Sequence, residues 1–319
     1  MFTSIIGHEF IKPRLSSLVK KGNKTGTYLF FGPPSVGKRT MAFDIARHIL
    51  CVGESGDDCS CRSCKRFGKD HPDFLCIGQN EKIKVSDADM LLEFAESMPF
   101  ISDGKVAIID NADDATWEAS NRLLKTLEEP RPGFSFFLVS SDAGKILPTV
   151  RSRCIEYVFE TLSQQDVINI IWKKMGFDLP QARILGWLGA GSSANIFSNA
   201  GLYLKHRETA MEFMSNVRYR DLVDSMDYID KIDRKELSFF SDMTLLIMTD
   251  MILLRNGVEE IANSDLRDEL SKLSKEFNDK ALVTASSFFS QAKKDSRLNV
   301  NMNVVLKNIL VKTHRMLAA

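Results

Sequence analysis

Tyr28-Leu29-Phe30-Phe31-Gly32-Pro33-Pro34-Ser35-Val36-Gly37-Lys38 is the stretch that decides the fold. Four consecutive apolar residues read as a strand buried on both faces, and a glycine- and proline-rich loop separates them from a helical pattern. That order is the setting of a phosphate-binding P-loop. Loop N–H groups and the N-terminus of the following helix cradle phosphate oxygens, and Lys38 reaches the β and γ phosphates. A plain Gly/Pro turn before a helix is the alternative, and the full spacing after a strand weighs against it. The residues expected to contact nucleotide are Gly32, Pro33, Pro34, Ser35, Val36, Gly37, Lys38, Arg39 and Thr40. One position breaks the pattern. The Ser/Thr whose hydroxyl binds Mg²⁺ directly follows the lysine, but Arg39 stands there, and Thr40 comes about 100° further round the helix.

A second apolar run, Val106-Ala107-Ile108-Ile109, ends at Asp110, the acid such a site uses to hold Mg²⁺ through water. The next residue in a working ATPase is a glutamate that orients the attacking water, and here it is Asn111, whose amide cannot accept a proton. Asp113 and Asp114 read as solvated acids of the following turn. The two faults point the same way: phosphate binding survives and turnover does not, so ATP with Mg²⁺ is a doubtful cofactor of this site.

A third run, Phe136 to Ser140, follows a turn at Pro130–Gly133, and Ala119 to Leu127 puts Leu123, Leu124 and Leu127 on one helix face. Apolar strands alternating with helices predict an α/β fold on a parallel sheet. Beyond about residue 160 helical periodicity takes over. Ser163-Gln164-Gln165-Asp166 reads as a helix start, Leu237, Phe240, Met243, Ile247, Met251 and Leu254 repeat at helical spacing, and Val304 to Leu317 has the same habit. The expected domains are an α/β domain over 1–160, a helical one over 161–205 and an all-helical one over 206–319, with a hinge around Gly189–Gly191 and Gly201.

Cys51, Cys59, Cys61 and Cys64 place four of the six cysteines within 14 residues. Four soft ligands in a short loop predict a structural Zn²⁺ module at about 51–75; reduced free thiols are the other reading. The Cys59-x-Cys61 spacing is tighter than the usual C-x-x-C. Cys76 and Cys154 read as packed thiols. Arg151 and Arg153, in Pro148-Thr149-Val150-Arg151-Ser152-Arg153-Cys154, read in isolation as solvated charges.

The chain of 319 residues carries 42 Lys+Arg and 42 Asp+Glu, divided 21 to 22 over residues 1–160 and 21 to 20 over the rest. Neither half is the basic footprint of a strong independent DNA binder. The apolar stretch Met243 to Leu254 is interrupted by Thr244, Thr249 and Asp250 and is short of a bilayer span. The start lacks a secretory pattern, so a cytoplasmic location is expected.

Taken together, GPPSVGK at Gly32–Lys38, the four cysteines, HPDF at His71–Phe74, VAIIDNAD at Val106–Asp113, NRLLKTLEEP at Asn121–Pro130 and Ser152-Arg153-Cys154 resemble the bacterial DNA polymerase III clamp loader, an AAA+ assembly. The likeness is dense over the first 160 residues and returns at Asn299–Val311. It implies an AAA+ P-loop domain with an inserted zinc module, a small helical lid domain and a helical collar domain. Within that family Arg39 and Asn111 resemble the degenerate delta-prime type more than the ATP-hydrolysing gamma/tau motors, and Ser192-Ser193-Ala194-Asn195 lacks the sensor arginine of active members. The resemblance further implies that Arg153 acts as an arginine finger in trans, at ATP held by a neighbouring motor. The partners it implies are gamma/tau and delta subunits in a hetero-pentamer, the sliding clamp, and primer–template DNA reached through the complex. A motor subunit of the same loader and a bare scaffold subunit are the alternatives.

Overall fold

The computed structural model describes residues 1–20, 25–53, 58–79, 81–189, 193–217, 221–295 and 301–317. Residues 54–57 of the cysteine segment, Gly191 and Ser192 of the glycine-rich and sensor segments, and Asn299 and Val300 of the last motif lie outside the described residues. The chain forms two compact units, one built on Met1–Ser163 and a second that begins at Gln164.

The first unit is a five-stranded, wholly parallel sheet: β1 (Gly26–Phe31), β2 (Phe74–Ile77), β3 (Lys105–Ile109), β4 (Phe134–Ser140) and β5 (Ile155–Val158), in the order β2-β3-β4-β1-β5. Its helices are α1 (Lys12–Lys20), α2 (Lys38–Leu50), α3 (Arg62–Arg66), α4 (Val85–Glu96), α5 (Trp117–Glu128) and α6 (Pro148–Arg151). β3 and β4 are buried along their whole length, as parallel strands covered on both faces must be. On one face Leu29, Ile109, Phe136 and Leu138 pack with Leu91 of α4 and Leu123 and Leu127 of α5. The other face carries the stacked Tyr28 and Phe137 rings, 5.0 Å apart, and Phe30 edge-on to Phe137.

The three strand runs and the helix expected from apolar pattern are β1, β3, β4 and α5. β2 and β5 carry no such signal: each has four residues, β2 is mostly half-buried and β5 is an edge strand with Ile155 and Val158 exposed. In the register, Phe31 pairs with Ser140 and Ile109 with Leu138, so β1, β3 and β4 release the chain at one carboxyl edge.

The second unit is helical: α7 (Gln164–Met175), α8 (Leu179–Gly189), α9 (Ser193–Asn216), α10 (Leu222–Asp230), α11 (Leu237–Arg255), α12 (Arg267–Ser274), α13 (Asp279–Asp295) and α14 (Met302–Leu317). α9 runs through residue 205 and is interrupted at Asn199, where φ is −129°. α11 is long and apolar enough to cross a membrane by length and composition, and it serves as a mostly buried helix packed by α12, α13 and α14. In its C-terminal half Asp250 is fully buried and accepts hydrogen bonds from the Ala262 and Asn263 amides, both 2.9 Å, and from Asn263 Nδ2 at 2.6 Å. Burial pushes this carboxyl up, and the three donors together with the Arg207 charge oppose it.

Because Asp250→Ala strands three buried donors, it is expected to cost about 3 kcal/mol, read as a lowered denaturant midpoint of the helical transition. A midpoint equal to wild type would show that the triad carries no stability.

Candidate functional site

The P-loop geometry follows from where glycine stands. Gly32 leaves β1 at φ 145°, and a Cβ there would lie 2.0 Å from the Phe159 carbonyl oxygen, so only glycine lets the loop pass the end of β5. Ser35 and Gly37 both take positive φ, 57° and 100°. α2 therefore starts at Lys38 on a Gly37 cap with no side chain on its first-turn amides. Pro34, Ser35 and Thr40 are exposed, and Val36 is buried. Lys38 is 5% exposed, and its ammonium donates to the Gly32 and Pro33 carbonyls at 2.7 and 2.5 Å. Burial lowers its pKa to about 8, with the Asp113 and Asp110 charges pulling the other way. The loop, the uncapped helix start and a cation turned into the loop fit a phosphate group.

Mg²⁺ fits poorly. Arg39 Nη1 lies 3.4 Å from Asp110 Oδ2, and the guanidinium stacks over Phe43 at 5.2 Å. Asp110 Oδ1 accepts the Asn111 N–H at 3.1 Å. Both oxygens of the acid that would hold a metal are thus engaged. Burial holds the Asp110 carboxyl above its ordinary value, with the Arg39 charge opposing the shift in part. Asn111 sits in the left-handed region at φ 50° and donates from Nδ2 to the Gly78 carbonyl, tying the β2 exit to the β3 exit. Asp113 is half-buried, and its carboxylate accepts the Ser141 N–H at the end of β4. Asp114 is exposed.

The four expected metal ligands converge. The sulfurs of Cys51, Cys59, Cys61 and Cys64 all lie within 4.8 Å of one another, with Cys51 3.5 Å from Cys59 and 3.9 Å from Cys61. Thiolates on a tetrahedral zinc at about 2.3 Å stand about 3.8 Å apart, so the cluster has the size of a metal site. Burial pushes the Cys61 thiol up, but backbone donors at Cys64 and Val52 outweigh it and bring it to about 6. The short Cys59-x-Cys61 spacing is accommodated because Cys61 caps α3, accepting the Cys64 N–H. Cys154 is a packed thiol on the sheet core, pushed up to about 12 by burial.

Arg151 and Arg153 are surface charges, and both are paired. Arg151 is bidentate to Glu156 and lies over the Phe31 ring. Arg153 Nε and Nη2 reach Glu128 Oε2 at 2.9 and 2.8 Å, and Nη1 donates to the Thr149 carbonyl at 2.7 Å. Glu128 ends α5, and Thr27 at the start of β1 donates to the Leu127 carbonyl beside it. Arg153 therefore belongs to the amino edge of the sheet. Its own P-loop leaves from the carboxyl edge, about five strand residues or roughly 16 Å along β1.

Residues 7–163 match the protein family described as "DNA polymerase III, delta subunit". The chain is 33% identical over 199 residues to DNA polymerase III subunit gamma of Buchnera aphidicola, a match covering 60% of this chain and 55% of that protein. With DNA polymerase III subunit delta' of Bacillus subtilis it shares 24% identity over 317 residues, covering 94% of this chain and 95% of the other. Over its first half the chain is thus similar to gamma/tau and delta' subunits of DNA polymerase III, and to delta' over nearly its whole length. A crystal structure of a gamma subunit-related protein from Thermotoga maritima aligns with 95% of this chain at 16% identity and a TM-score of 0.49. The chain spans about half the length of the Buchnera gamma protein and 25% of the Haemophilus influenzae tau/gamma protein. Its end-to-end alignment is with delta', which is the reading that fits best.

The structure also explains His71-Pro72-Asp73-Phe74, which sequence presents only as a motif. Asp73 is fully buried at the head of β2, and its carboxylate accepts the Phe100, Ile101 and Ser102 N–H groups at 2.6, 2.7 and 2.8 Å. The Asp73 amide donates to His71 Nδ1, which leaves Nε2 protonated and facing Ser63 Oγ at 2.8 Å; Ser63 in turn donates to the Leu50 carbonyl. Arg62 closes the ring on the Ile101 carbonyl. The cysteine segment is thereby fixed to the amino edge of the sheet. An acid between proline and an aromatic, Pro72-Asp73-Phe74, is the signal the sequence gives of this role.

Asp73→Ala removes all three acceptors for residues 100–102. Their amides are expected to exchange about a hundredfold faster, roughly the 3 kcal/mol of three lost bonds, by hydrogen exchange with mass spectrometry; unchanged protection would assign their ordering elsewhere.

Proposed function

We propose that this chain is the delta'-like subunit of a clamp loader: a member that holds nucleotide phosphate without hydrolysing it and lends Arg153 to a neighbour. The observation that carries this reading is the separation of the two charges that ATP hydrolysis needs. Lys38 and the P-loop occupy the carboxyl edge of the sheet and Arg153 the amino edge, so Arg153 serves a phosphate on another chain.

The local chemistry supports the same division. At its own site Arg39 neutralises Asp110 and the Asn111 amide is committed to Gly78, so neither position activates water. Arg153 presents a planar, permanently charged fork, suited to the charge that spreads over phosphoryl oxygens in the transition state. Exchanging Glu128 for phosphate swaps one anion for a more highly charged one, so the pairing holds the guanidinium ready.

In the assembly we infer, the partners are gamma/tau motors and a delta subunit in a hetero-pentamer, acting in the cytoplasm. The motors drive opening of the sliding clamp and its placement on primed DNA, and DNA contact falls mainly to them, consistent with 42 positive against 42 negative side chains here. Residues 161–205 would form the helical lid and 206–319 the collar domain. The four cysteines would hold one structural zinc, folding the segment that Ser63, His71 and Asp73 anchor.

The reading is tested in a reconstituted complex in which the adjacent motor carries the only intact P-loop. Arg153→Ala is expected to leave assembly intact by size exclusion and to lower ATP turnover about 10³-fold; undiminished turnover would contradict it. Elemental analysis is expected to give about one zinc per chain, and Cys61→Ser to lose the metal and to expose the segment after Leu50 to protease. A metal-free wild type equally resistant to protease would leave the cysteines as thiols.

A further inference from the structure

The cation beside Asp110 decides which form of nucleotide the P-loop can hold. We propose that this loop is a metal-independent nucleotide site, in which the Arg39 guanidinium takes the place of the divalent cation and binds polyphosphate together with Lys38. The inference rests on the phosphate reading above and specifies the ionic form of the ligand: free nucleoside polyphosphate rather than its magnesium complex.

Position comes first. Arg39 directly follows Lys38 in the first turn of α2, where a hydroxyl would face the metal, and its Nη1 stands 3.4 Å from Asp110 Oδ2. It is held from a second side by the Phe43 ring, 5.2 Å from the guanidinium carbon. The cation thus spans the gap between the helix start and the acid at the end of β3, the gap that Mg²⁺ bridges in this class of site.

Ligand chemistry follows. Mg²⁺ requires near-octahedral oxygen ligands at about 2.0–2.1 Å. A guanidinium has five N–H donors and no acceptor, so it supplies no ligand and repels the ion. Asp110 has one oxygen on the Asn111 amide and the other facing Arg39. Asp113, the other carboxylate that acts on Lys38, is bonded to the Ser141 amide.

What the site keeps is suited to phosphate without a metal. Two cations, Lys38 and Arg39, lie on adjacent residues at a helix start with no side-chain cap. The planar fork of arginine matches two phosphate oxygens at once. With 44% of its side chain exposed, Arg39 can turn from Asp110 toward an incoming phosphate without unpacking the core. Lys38 exchanges its bonds to the Gly32 and Pro33 carbonyls for the same ligand. No hydrolysis is assigned to the site, so the bound nucleotide would act as a fixed part of the fold.

The test is calorimetric titration of the full chain with ATP, in EDTA and in excess Mg²⁺, repeated for Arg39→Thr and Lys38→Ala, with circular dichroism confirming each fold. Wild-type affinity in EDTA is expected to equal or exceed that in Mg²⁺, differing by no more than about threefold. Arg39→Thr is expected to bind about tenfold more weakly in EDTA, to recover when Mg²⁺ is added, and to broaden the Mn²⁺ electron paramagnetic resonance signal with ATP, which wild type does not. Wild-type binding that needs Mg²⁺ would overturn this inference and leave the phosphate reading standing. No ATP binding under any condition, or equal binding by Lys38→Ala, would overturn both.

Discussion

A parallel sheet buried on both faces can release its chain only at its two ends, and every functional group of the first unit depends on that constraint. Helices occupy the faces, as the packing of α4 and α5 on Leu29, Phe136 and Leu138 illustrates. Loops that carry polar chemistry are confined to the carboxyl edge, with the P-loop, Asp110 and Ser141, and to the amino edge, with Asp73, Glu128 and Arg153. Once the strand directions are set, the arginine and the phosphate loop of one chain stand on opposite sides of its sheet. On the proposed reading, a subunit built this way would meet its chemistry across a boundary with another.

The same polarity explains why the two edges differ in electrostatic character. At the carboxyl edge two cations, Lys38 and Arg39, stand against two carboxylates, Asp110 and Asp113, each of which already accepts a backbone N–H, so that the cations suit phosphate while Asp110 is engaged by Arg39. At the amino edge acids are spent on structure: Asp73 on three backbone amides and Glu128 on Arg153. An overall charge of zero therefore conceals a local arrangement in which anion-binding groups are few and placed one by one.

Sequence is most legible where a pattern is local. β1 and its loop, the β3–Asp110 junction, the cysteine cluster and α5 all follow from spacing within 14 residues. Arg39 and Asn111 stand out as departures, but their partners do not, because Asp110 and Gly78 are brought to them by the sheet. The pairing of Arg153 with Glu128 spans 25 residues, and that of Asp73 with the Ser102 amide spans 29; such contacts exist only once the strands are registered. β2 and β5 are silent in sequence because four residues, half-buried or at an edge, show neither a continuous apolar run nor a clear alternation. In α11 the periodic apolar residues are plain, whereas the role of Asp250, which in sequence only interrupts them, depends on a loop 12 residues on.

Arg153 is proposed to work on a phosphate that another chain holds. The most direct measurement is its position in a structure of the assembled complex with a non-hydrolysable ATP analogue. The guanidinium is expected to have left Glu128 and to lie at charged hydrogen-bond distance, about 2.7–2.9 Å, from a γ-phosphate oxygen on the neighbouring subunit. An Arg153 still paired with Glu128 while that site is filled and closed would contradict it.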